Sequence, residues 1–323
     1  MYRLSSNFGF QDVYDLLNVS KDIILGKHIL EENIPKDVVF QFMLKDLKEL
    51  ISRDILKLAL IDENEVVNGL MLVEKSNWDS DHFGTAVGKL RLAIFNRKVQ
   101  VSDRRHLIRR IKDLAASKRI NVIFARVPLD DLPTIRSIEL EGGFLTDILL
   151  TFYINLRRRF DFVKVKSNAK ITHASEKDRK ALMEMAKNTF KIDHFHADPN
   201  LPNNECDELY AKWIANCIDG SADVILVAKK GNGVVGFITC KIQHVIGDYN
   251  YGVIDLIGVN EEYRGKGIGC LLISEALKWF SRYTDSVYVG TQARNIPAVR
   301  LYEKMGFRQV FSEATLHLWV SIR

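Results

Sequence analysis

The sequence predicts an α/β layered fold that occurs twice in tandem, each copy a mixed, mostly antiparallel sheet flanked by helices. Apolar residues alternate between strand and helix spacing in both halves of the chain, and the order of elements in the first half recurs in the second. The 323 residues are also enough for two domains of ordinary size. We therefore predict one domain over 1–160 and a second over 161–323.

The elements of the second half follow from its apolar periodicity. We predict a strand over 169–175, helices over 176–190 and 204–219, a hairpin of 222–230 with 234–243, and a third strand over 251–260. A glycine loop, a helix to about 282, a strand over 286–292, a helix over 295–304 and a final pair of strands through 320 complete it. The chemistry is expected where the strands around the strand–helix–strand crossover separate.

An offset of 164 residues lays the first half on the second. Four residues of the first half then match identical residues of the second: Pro133, Arg136, Glu139 and Gly142 fall on Pro297, Arg300, Glu303 and Gly306. A hairpin over 57–74, a strand over 89–95, a helix over 103–117 and a strand over 121–126 recur in the same order. Four identities in a short window are weak evidence, so the shared order of elements carries the prediction of a tandem repeat.

Composition and charge exclude several classes of protein. With 47% hydrophobic and 27% charged residues and no biased stretch, the chain is an ordinary folded protein. Acidic residues interrupt the N-terminal segment where a signal peptide needs an apolar run, and no run reaches the ~18 apolar residues of a membrane span. We therefore expect a cytoplasmic protein with no membrane partner.

Cysteine spacing and basic residues give two further expectations. The four cysteines form no C-x-x-C pair, which argues against a zinc site and against disulfides, so no metal is expected. The net charge of +5 would suit an anionic ligand, but the basic residues are spread along the chain. The exception is a cluster at the predicted junction, which indicates a solvated linker rather than a nucleic-acid site: Arg157, Arg158, Arg159, Lys164 and Lys166.

The segment from Arg264 to Gly269 runs from an apolar strand through a glycine-rich turn into an amphipathic helix. Glycines permit a positive φ and close approach of the backbone, and the free N–H groups of a helix beginning near 268 would bind phosphate. Arg264 and Lys266 add positive charge that suits a pyrophosphate. The dinucleotide fingerprint does not fit, because the glycines run as G-x-G-x-G, and no Gly-Lys-Ser/Thr of a P-loop follows.

The run R-x-x-G-x-G over 264–269, followed about thirty residues later by N-I-P-A-V-R-L-Y-E-K-M-G-F over 295–307, resembles the GNAT superfamily of acetyl-CoA N-acetyltransferases. The resemblance covers about 168–320 and implies tandem GNAT-like domains with acetyl-CoA as co-substrate. It implies that the pyrophosphate of coenzyme A is held by Arg264, Gly265, Lys266, Gly267, Ile268 and Gly269, with Asn295 among the coenzyme-binding residues. Backbone groups near Ile257 and Val259, where a bulge is expected, would pair with the pantetheine arm.

Tyr302 is the candidate donor of a proton or hydrogen bond to the departing thiolate. Attack of an amine on a thioester needs a donor for the oxyanion and for the leaving sulfur, and a tyrosine one helix after the loop can supply it. Asn295 caps that helix, and Tyr302 lies two turns along it. Asp255, a carboxylate in an apolar strand, is a candidate base for the amine. A solvated or ion-paired Asp255 without a catalytic role is the alternative for that residue, and water relayed to His194 or His196 is the other route for the proton.

The acceptor is expected at the segment over 190–213, which resembles the His/Asp/Pro loop and L-Y-x-x-W helix of the TDP-fucosamine acetyltransferases. The candidate binding residues are His194, His196, Asp198 and Tyr210. The segment from Trp78 to Gly84 is similar to an aromatic segment of the same enzymes. The implied partner is a small-molecule amine, a nucleotide-linked 4-amino-4,6-dideoxy sugar. A surface turn with solvated histidines is the plain alternative for the loop.

Three other functions stay open at this point: acylation of a peptide amine, acylation of a thiol–sugar conjugate, and sensing of acetyl-CoA without turnover.

Under the offset of 164, the glycine loop falls on Q-V-S-D-R-R over 100–105 and Tyr302 falls on Ile138. The first half is therefore predicted to be a degenerate copy without a pyrophosphate loop, serving as scaffold. The sequence does not specify the oligomeric state.

Overall fold

The structure is a computed structural model that describes residues 2–21, 26, 35–157, 168–246 and 249–320. The chain forms two compact units. The first comprises Met1–Ile148 and Ser312–Arg323, and the second comprises Leu149–Phe311. Among the described helices, none is long and apolar enough to cross a membrane.

The first unit is a sheet covered by helices. Its elements are β1 (Arg3–Ser5), α1 (Phe10–Val19), α2 (Lys36–Ser52), β2 (Leu56–Ile61), β3 (Val67–Ser76), α3 (Asn77–Phe83), β4 (Val87–Phe95), α4 (Val101–Ser117), β5 (Val122–Pro128), α5 (Leu132–Leu140), the start of β6 (Phe144–Asn155) and most of β12 (Arg308–Trp319). The described strands follow the order β1-β2-β3-β4-β5-β12, in which β4 and β5 are parallel and the other neighbours are antiparallel.

Successive side chains of the central strands point to opposite faces of this sheet and pack into a core on each face. Leu58 and Leu60 of β2 pack in one core with Leu107 and Ile111 of α4. Ala59 and Ile61 of the same strand join a second core, with apolar residues of α1 and α2. The predicted α/β layers are thus present, with helices on both sides of the sheet.

The second unit repeats this architecture. Its elements are the end of β6, β7 (Lys170–His173), α6 (Arg179–Thr189), α7 (Asn203–Asn216), β8 (Val224–Lys230), β9 (Gly233–Ile246), β10 (Tyr249–Val259), α8 (Ile268–Phe280), β11 (Ser286–Gln292), α9 (Ile296–Lys304) and the start of β12. In the part of the unit that the structure describes, the strand order is β6-β11-β10-β9-β8-β7, in which β10 and β11 are parallel and the other neighbours are antiparallel. Helix α8 packs on the sheet so closely that a Cβ at Gly252 would lie 2.5 Å from the Phe280 ring.

The tandem repeat is confirmed. Adding 164 to the first and last residue numbers of β5, α5 and β6 gives the first and last residues of β11, α9 and β12. The helix caps also correspond, because Asp131 accepts from the backbone N–H of Thr134 and Asn295 accepts from that of Ala298. Gly142 and Gly306 end the two helices with φ of 92° and 86°.

The boundary between the units differs from the predicted one because the last strands of the two repeats are exchanged. β6 pairs with β11, with Asn155 opposite Ser286, and β12 pairs with β5, with Trp319 opposite Val122. The compact units therefore do not coincide with 1–160 and 161–323. The predicted boundary itself, with Arg158, Arg159, Lys164 and Lys166, lies outside the described residues.

The predicted final pair of strands is wrong, since β12 is one strand of 12 residues. The segment F-S-E-A-T-L-H-L-W continues the alternation without a glycine, proline or asparagine that would turn the chain.

Candidate active site

The parallel strands of the second unit separate at their C-terminal ends. β10 and β11 pair over Gly252–Ile254 and Val287–Val289, whereas β10 continues to Val259 and β11 to Gln292 without further pairing between the described residues. The strands therefore part as the sequence led us to expect. The edge of β10 that faces β11 is left with backbone groups that a ligand can pair with.

A bulge in β10 lies beside this opening. The register with β9 shifts between Ile254 and Ile257, so that two residues, Asp255 and Leu256, face Thr239. The buried Thr239 hydroxyl accepts from the backbone N–H of Leu256 at 2.9 Å and donates to its carbonyl at 3.4 Å, which satisfies the displaced backbone. The bulge predicted near Ile257 and Val259 is thus present, beginning at Asp255.

Asp255 is half-buried within this bulge. Burial, together with the negative charge of Asp255, raises the pKa of the Cys217 and Cys240 thiols. The Asp255 carboxylate therefore lies near Cys217, which follows α7, as well as near Cys240 of β9. The two thiols remain protonated at neutral pH.

Two glycines of the loop have backbone conformations that other residues rarely adopt. Gly265 and Gly267 have φ of 73° and 79°, and a Cβ at Gly265 would meet no atom within 4 Å, so the loop is open at that point. Gly269 differs, because a Cβ there would lie 3.0 Å from Leu301 of α9. Gly269 thus allows α8 and α9 to pack closely.

The loop presents donors and positive charge. The first backbone hydrogen bond of α8 is donated by Leu271 N to the Gly267 carbonyl at 3.0 Å. The backbone N–H groups before Leu271 therefore have no acceptor inside the helix. Arg264 Nε donates to the Val259 carbonyl at 3.1 Å, and Lys266 Nζ donates to the Glu262 carbonyl at 2.8 Å. Both side chains are exposed. A turn that is open at Gly265, helical N–H groups and two cations fit a pyrophosphate.

The side chains of two other predicted coenzyme-binding residues, Ile268 and Asn295, stabilise the fold. Ile268 is buried in the core, so only its backbone is available to a ligand. Asn295 caps α9, accepting from Ala298 N at 3.4 Å and donating to Thr291 Oγ1 at 3.2 Å. The side chains of Ile257 and Val259 pack against the same core, which leaves their backbone groups for pairing.

Tyr302 lies on α9 inside the core and is 2% exposed. Its ring packs against Phe152 and Phe307, with centroids 5.6 and 5.9 Å away. Burial raises the pKa of Tyr302 above its ordinary value of 10, so the phenol keeps its proton at neutral pH. Sequence reasoning missed Phe152, because it belongs to the last strand of the first repeat.

His196 is held between two carboxylates. Its Nδ1 lies 2.6 Å from Asp193 Oδ2, and its Nε2 lies 2.8 Å from Asp207 Oδ1. Burial works against the charged imidazole, but the two carboxylates outweigh it and raise the pKa of His196 above 6.5. Asp193 and Asp207 were not predicted as partners of His196. The D-x-x-H spacing from Asp193 to His196 was a usable signal for the first of these contacts.

The other predicted acceptor residues are buried. Tyr210 is 7% exposed and stacks on Phe190 at 4.7 Å, and Asp198 is 1% exposed and accepts from Asn200 N at 2.9 Å. His194 is 9% exposed. Their burial shows that the segment is an ordered part of the unit rather than a solvated turn.

A contact missed from the sequence joins this segment to the turn before α9. Arg294 Nη2 donates to the Asp193 carbonyl at 2.9 Å. Because Arg294 directly precedes Asn295, the predicted acceptor segment is anchored at the start of the helix that carries Tyr302. Nothing in the local pattern around Arg294 signals this long-range bond.

The matching region of the first unit has a different structure. α4 begins at Val101, three residues before the position that matches Ile268, so helix replaces the glycine turn. Arg104 is 5% exposed and donates to Asp131 Oδ1 and Thr134 Oγ1, both at 2.7 Å. Its guanidinium also lies 4.6 Å from the Phe95 ring at the end of β4. A buried cation therefore bridges the end of β4 and the start of α5.

Comparisons with known proteins agree with this architecture. Residues 183–307 match the Acetyltransferase (GNAT) family. The spore coat polysaccharide biosynthesis protein SpsD of Bacillus subtilis is 26% identical over 300 residues, which cover 90% of this chain and 98% of that protein. An N-alpha-acetyltransferase of Saccharolobus solfataricus is 32% identical over 93 residues, covering 26% of this chain and 56% of that enzyme.

A solved tandem GNAT protein from the clavulanic acid biosynthesis pathway superimposes with a TM-score of 0.58 at 12% identity and covers 100% of both chains. This likeness concerns the fold and agrees with the tandem GNAT architecture. Residues 183–307 thus match the GNAT acetyltransferase family, and the chain is an acyltransferase. Enzymes of this family use acetyl-CoA.

Proposed function

We propose that the chain transfers an acetyl group from acetyl-CoA to the amine of a nucleotide-linked 4-amino-4,6-dideoxy sugar, with the second repeat as the catalytic one. The observation that carries the proposal is the parting of β10 from β11 beside an open glycine loop, in a chain whose similarity to SpsD extends over nearly its whole length. SpsD is a polysaccharide biosynthesis protein, which favours a sugar as acceptor.

Coenzyme A would bind along the opening. The backbone of 264–269 and the cations of Arg264 and Lys266 would hold the pyrophosphate. The exposed backbone edge at Ile257 and Val259 would pair with the pantetheine amides, as a strand added to β10. Arg264 now donates to the Val259 carbonyl, so this bond would be exchanged when the pantetheine binds.

Transfer joins the acceptor nitrogen to the acetyl carbonyl carbon and breaks the carbon–sulfur bond. Tyr302 is the donor to the departing sulfur, since its buried phenol stays protonated at neutral pH. The proton of the attacking amine passes to a base. Asp255 is the better candidate, because the ring nitrogens of His196 both contact carboxylates and its raised pKa favours the charged form.

The acceptor would contact the segment over 193–210. The His196 imidazole, held between Asp193 and Asp207, fixes the shape of this segment, and the Arg294 bond fixes its place beside α9. His194, Asp198 and Tyr210 remain the proposed contacts for the sugar. The first repeat, with Arg104 in place of a glycine turn, is proposed to be a degenerate scaffold.

A peptide amine is the second candidate acceptor, supported by the similarity to N-alpha-acetyltransferases. That similarity covers 26% of this chain, against 90% for SpsD, so the sugar is preferred. A thiol–sugar conjugate would keep the same chemistry, and a sensor would bind acetyl-CoA without turnover.

An acceptor screen tests the proposal. Release of free thiol from acetyl-CoA is followed with a TDP-linked 4-amino-4,6-dideoxy sugar, an N-terminal peptide and an amino-sugar thiol conjugate. The proposal expects turnover with the nucleotide sugar and an amide product by mass spectrometry. Turnover with the peptide alone would favour the second candidate, and binding of acetyl-CoA without turnover on any acceptor would favour the sensor.

A further inference from the structure

Two lysine side chains meet at the ring of Tyr263, beside the glycine loop of the second repeat. Lys230 Nζ lies 5.5 Å from the ring centroid, and Lys266 Nζ lies 5.4 Å from it. Lys230 ends β8, Tyr263 precedes the loop, and Lys266 lies within it. The end of β8 and the segment over 263–266 therefore bring two ammonium groups to one aromatic ring.

The sheet explains why these segments meet. The hairpin of β8 and β9 turns at the pair Lys230 and Gly233, and Gly236 of β9 lies opposite Val259 at the end of β10. Asn260 N donates to the Val235 carbonyl at 3.0 Å. The turn after β8 is thus beside the segment that leads into the loop.

The two ammonium groups are not neutralised by carboxylates in the part of the chain that the structure describes. Lys266 Nζ donates to a backbone carbonyl, and Lys230 forms no ion pair there, whereas the neighbouring Lys229 lies 2.6 Å from Asp178. Lys230 and Lys266 are both exposed. Like charges gathered at one ring repel each other, and an anion bound between them would reverse that effect.

We propose that Lys230 and Lys266, arranged around Tyr263, form a subsite for a phosphomonoester, the 3′-phosphate of coenzyme A, with Lys266 shared between this phosphate and the pyrophosphate. The inference rests on the proposed function, because the neighbouring loop is assigned to the pyrophosphate of the same molecule. The ribose that carries the 3′-phosphate is attached directly to that pyrophosphate. A phosphomonoester carries nearly two negative charges at neutral pH, which matches two lysines that have no carboxylate partner among the described residues. The subsite would distinguish coenzyme A from analogues without that phosphate.

Calorimetry with coenzyme A and 3′-dephospho-coenzyme A tests the subsite. The parent protein should bind coenzyme A about five- to tenfold more tightly, as expected for two exposed ion pairs. Lys230→Gln should weaken coenzyme A roughly two- to fivefold and leave the dephospho analogue unchanged. Lys230→Arg, which keeps the charge, should keep the preference. Lys180→Gln, an exposed lysine of α6, is the control for a change in net charge and should leave both affinities unchanged.

The preference should also shrink as salt is raised, since both lysines are exposed. Equal affinity of the parent for the two nucleotides would overturn the subsite, as would a preference that Lys230→Gln leaves at its full size. If neither nucleotide binds the folded parent, the proposed function itself fails, and the subsite with it. Thermal unfolding of each variant checks that the fold is retained.

Discussion

The ring of Phe152 packs against the ring of Tyr302, with centroids 5.6 Å apart and planes inclined by 52°. Phe152 belongs to β6, the last strand of the first repeat, and Tyr302 to α9 of the second. Because β6 pairs with β11 and not with β5, the first repeat supplies part of the packing around the proposed acid. The second half of the sequence alone would lack this strand.

Shortening Phe152 should therefore affect catalysis through the placement of Tyr302. Phe152→Leu should lower kcat by roughly 10- to 100-fold, because small displacements of a catalytic group are costly, with little change in KM for acetyl-CoA. Phe280→Leu is the matched control, a buried phenylalanine of the same core on α8. Steady-state kinetics gives kcat and KM, and thermal unfolding gives stability, so together they separate misplacement of Tyr302 from a general loss of stability. Equal losses of kcat in both variants would mean that Phe152 acts through stability alone.

Tyr302→Phe should retain the affinity for acetyl-CoA and lose rate, since the substitution removes only the hydroxyl. General acid catalysis is worth ~100- to 10,000-fold in rate. Binding by calorimetry and kcat on the best acceptor give the two quantities. A decrease of less than about threefold would exclude Tyr302 as the acid.

His196 should make the stability of the protein depend on pH. Its pKa is raised above the ordinary 6.5 in the folded state, so its stabilisation is complete below pH 6.5 and is lost as the pH rises through the raised value. His196→Gln should thus lower the free energy of unfolding more at pH 6 than at pH 9. His173→Gln, at an exposed position on β7, is the control for loss of an imidazole. An identical decrease at both pH values would contradict the two-carboxylate environment.

Gly267→Val should abolish measurable binding of acetyl-CoA. The φ of 79° at Gly267 strains any β-branched residue, and the new side chain would block approach of the pyrophosphate to the backbone. Gly220→Val, with a φ of 111° after α7, introduces comparable backbone strain away from the loop. Calorimetry should show binding lost in the first variant and kept in the second. Unchanged affinity in folded Gly267→Val would remove the loop from the coenzyme site.

Much of the fold was predictable from the sequence because its determinants are local. Periodicity located the helix and strand of the crossover, and the strand over 286–292 was predicted with the bounds observed. Gly265 and Gly267 were identifiable because a positive φ in a loop before a helix favours glycine. The repeat followed from an offset that the structure keeps through β5, α5 and β6.

The strand exchange was not predictable, because the choice of partner is not a local property. Phe152 of β6 and Leu316 of β12 occupy matching positions of the repeat, and both are apolar, so either strand could complete either sheet. The environment of His196 escaped prediction for a similar reason. Asp207 lies eleven residues away on α7, and only the folded segment brings its carboxylate to the imidazole.

Calorimetric titration of the whole chain with acetyl-CoA is the most direct test of the claim that the second repeat alone carries the coenzyme site. In the first unit α4 begins where the glycine turn would be, and the buried Arg104 bridges β4 and α5. The expected result is one acetyl-CoA per chain. A stoichiometry near two, or binding that persists in Gly267→Val, would contradict it.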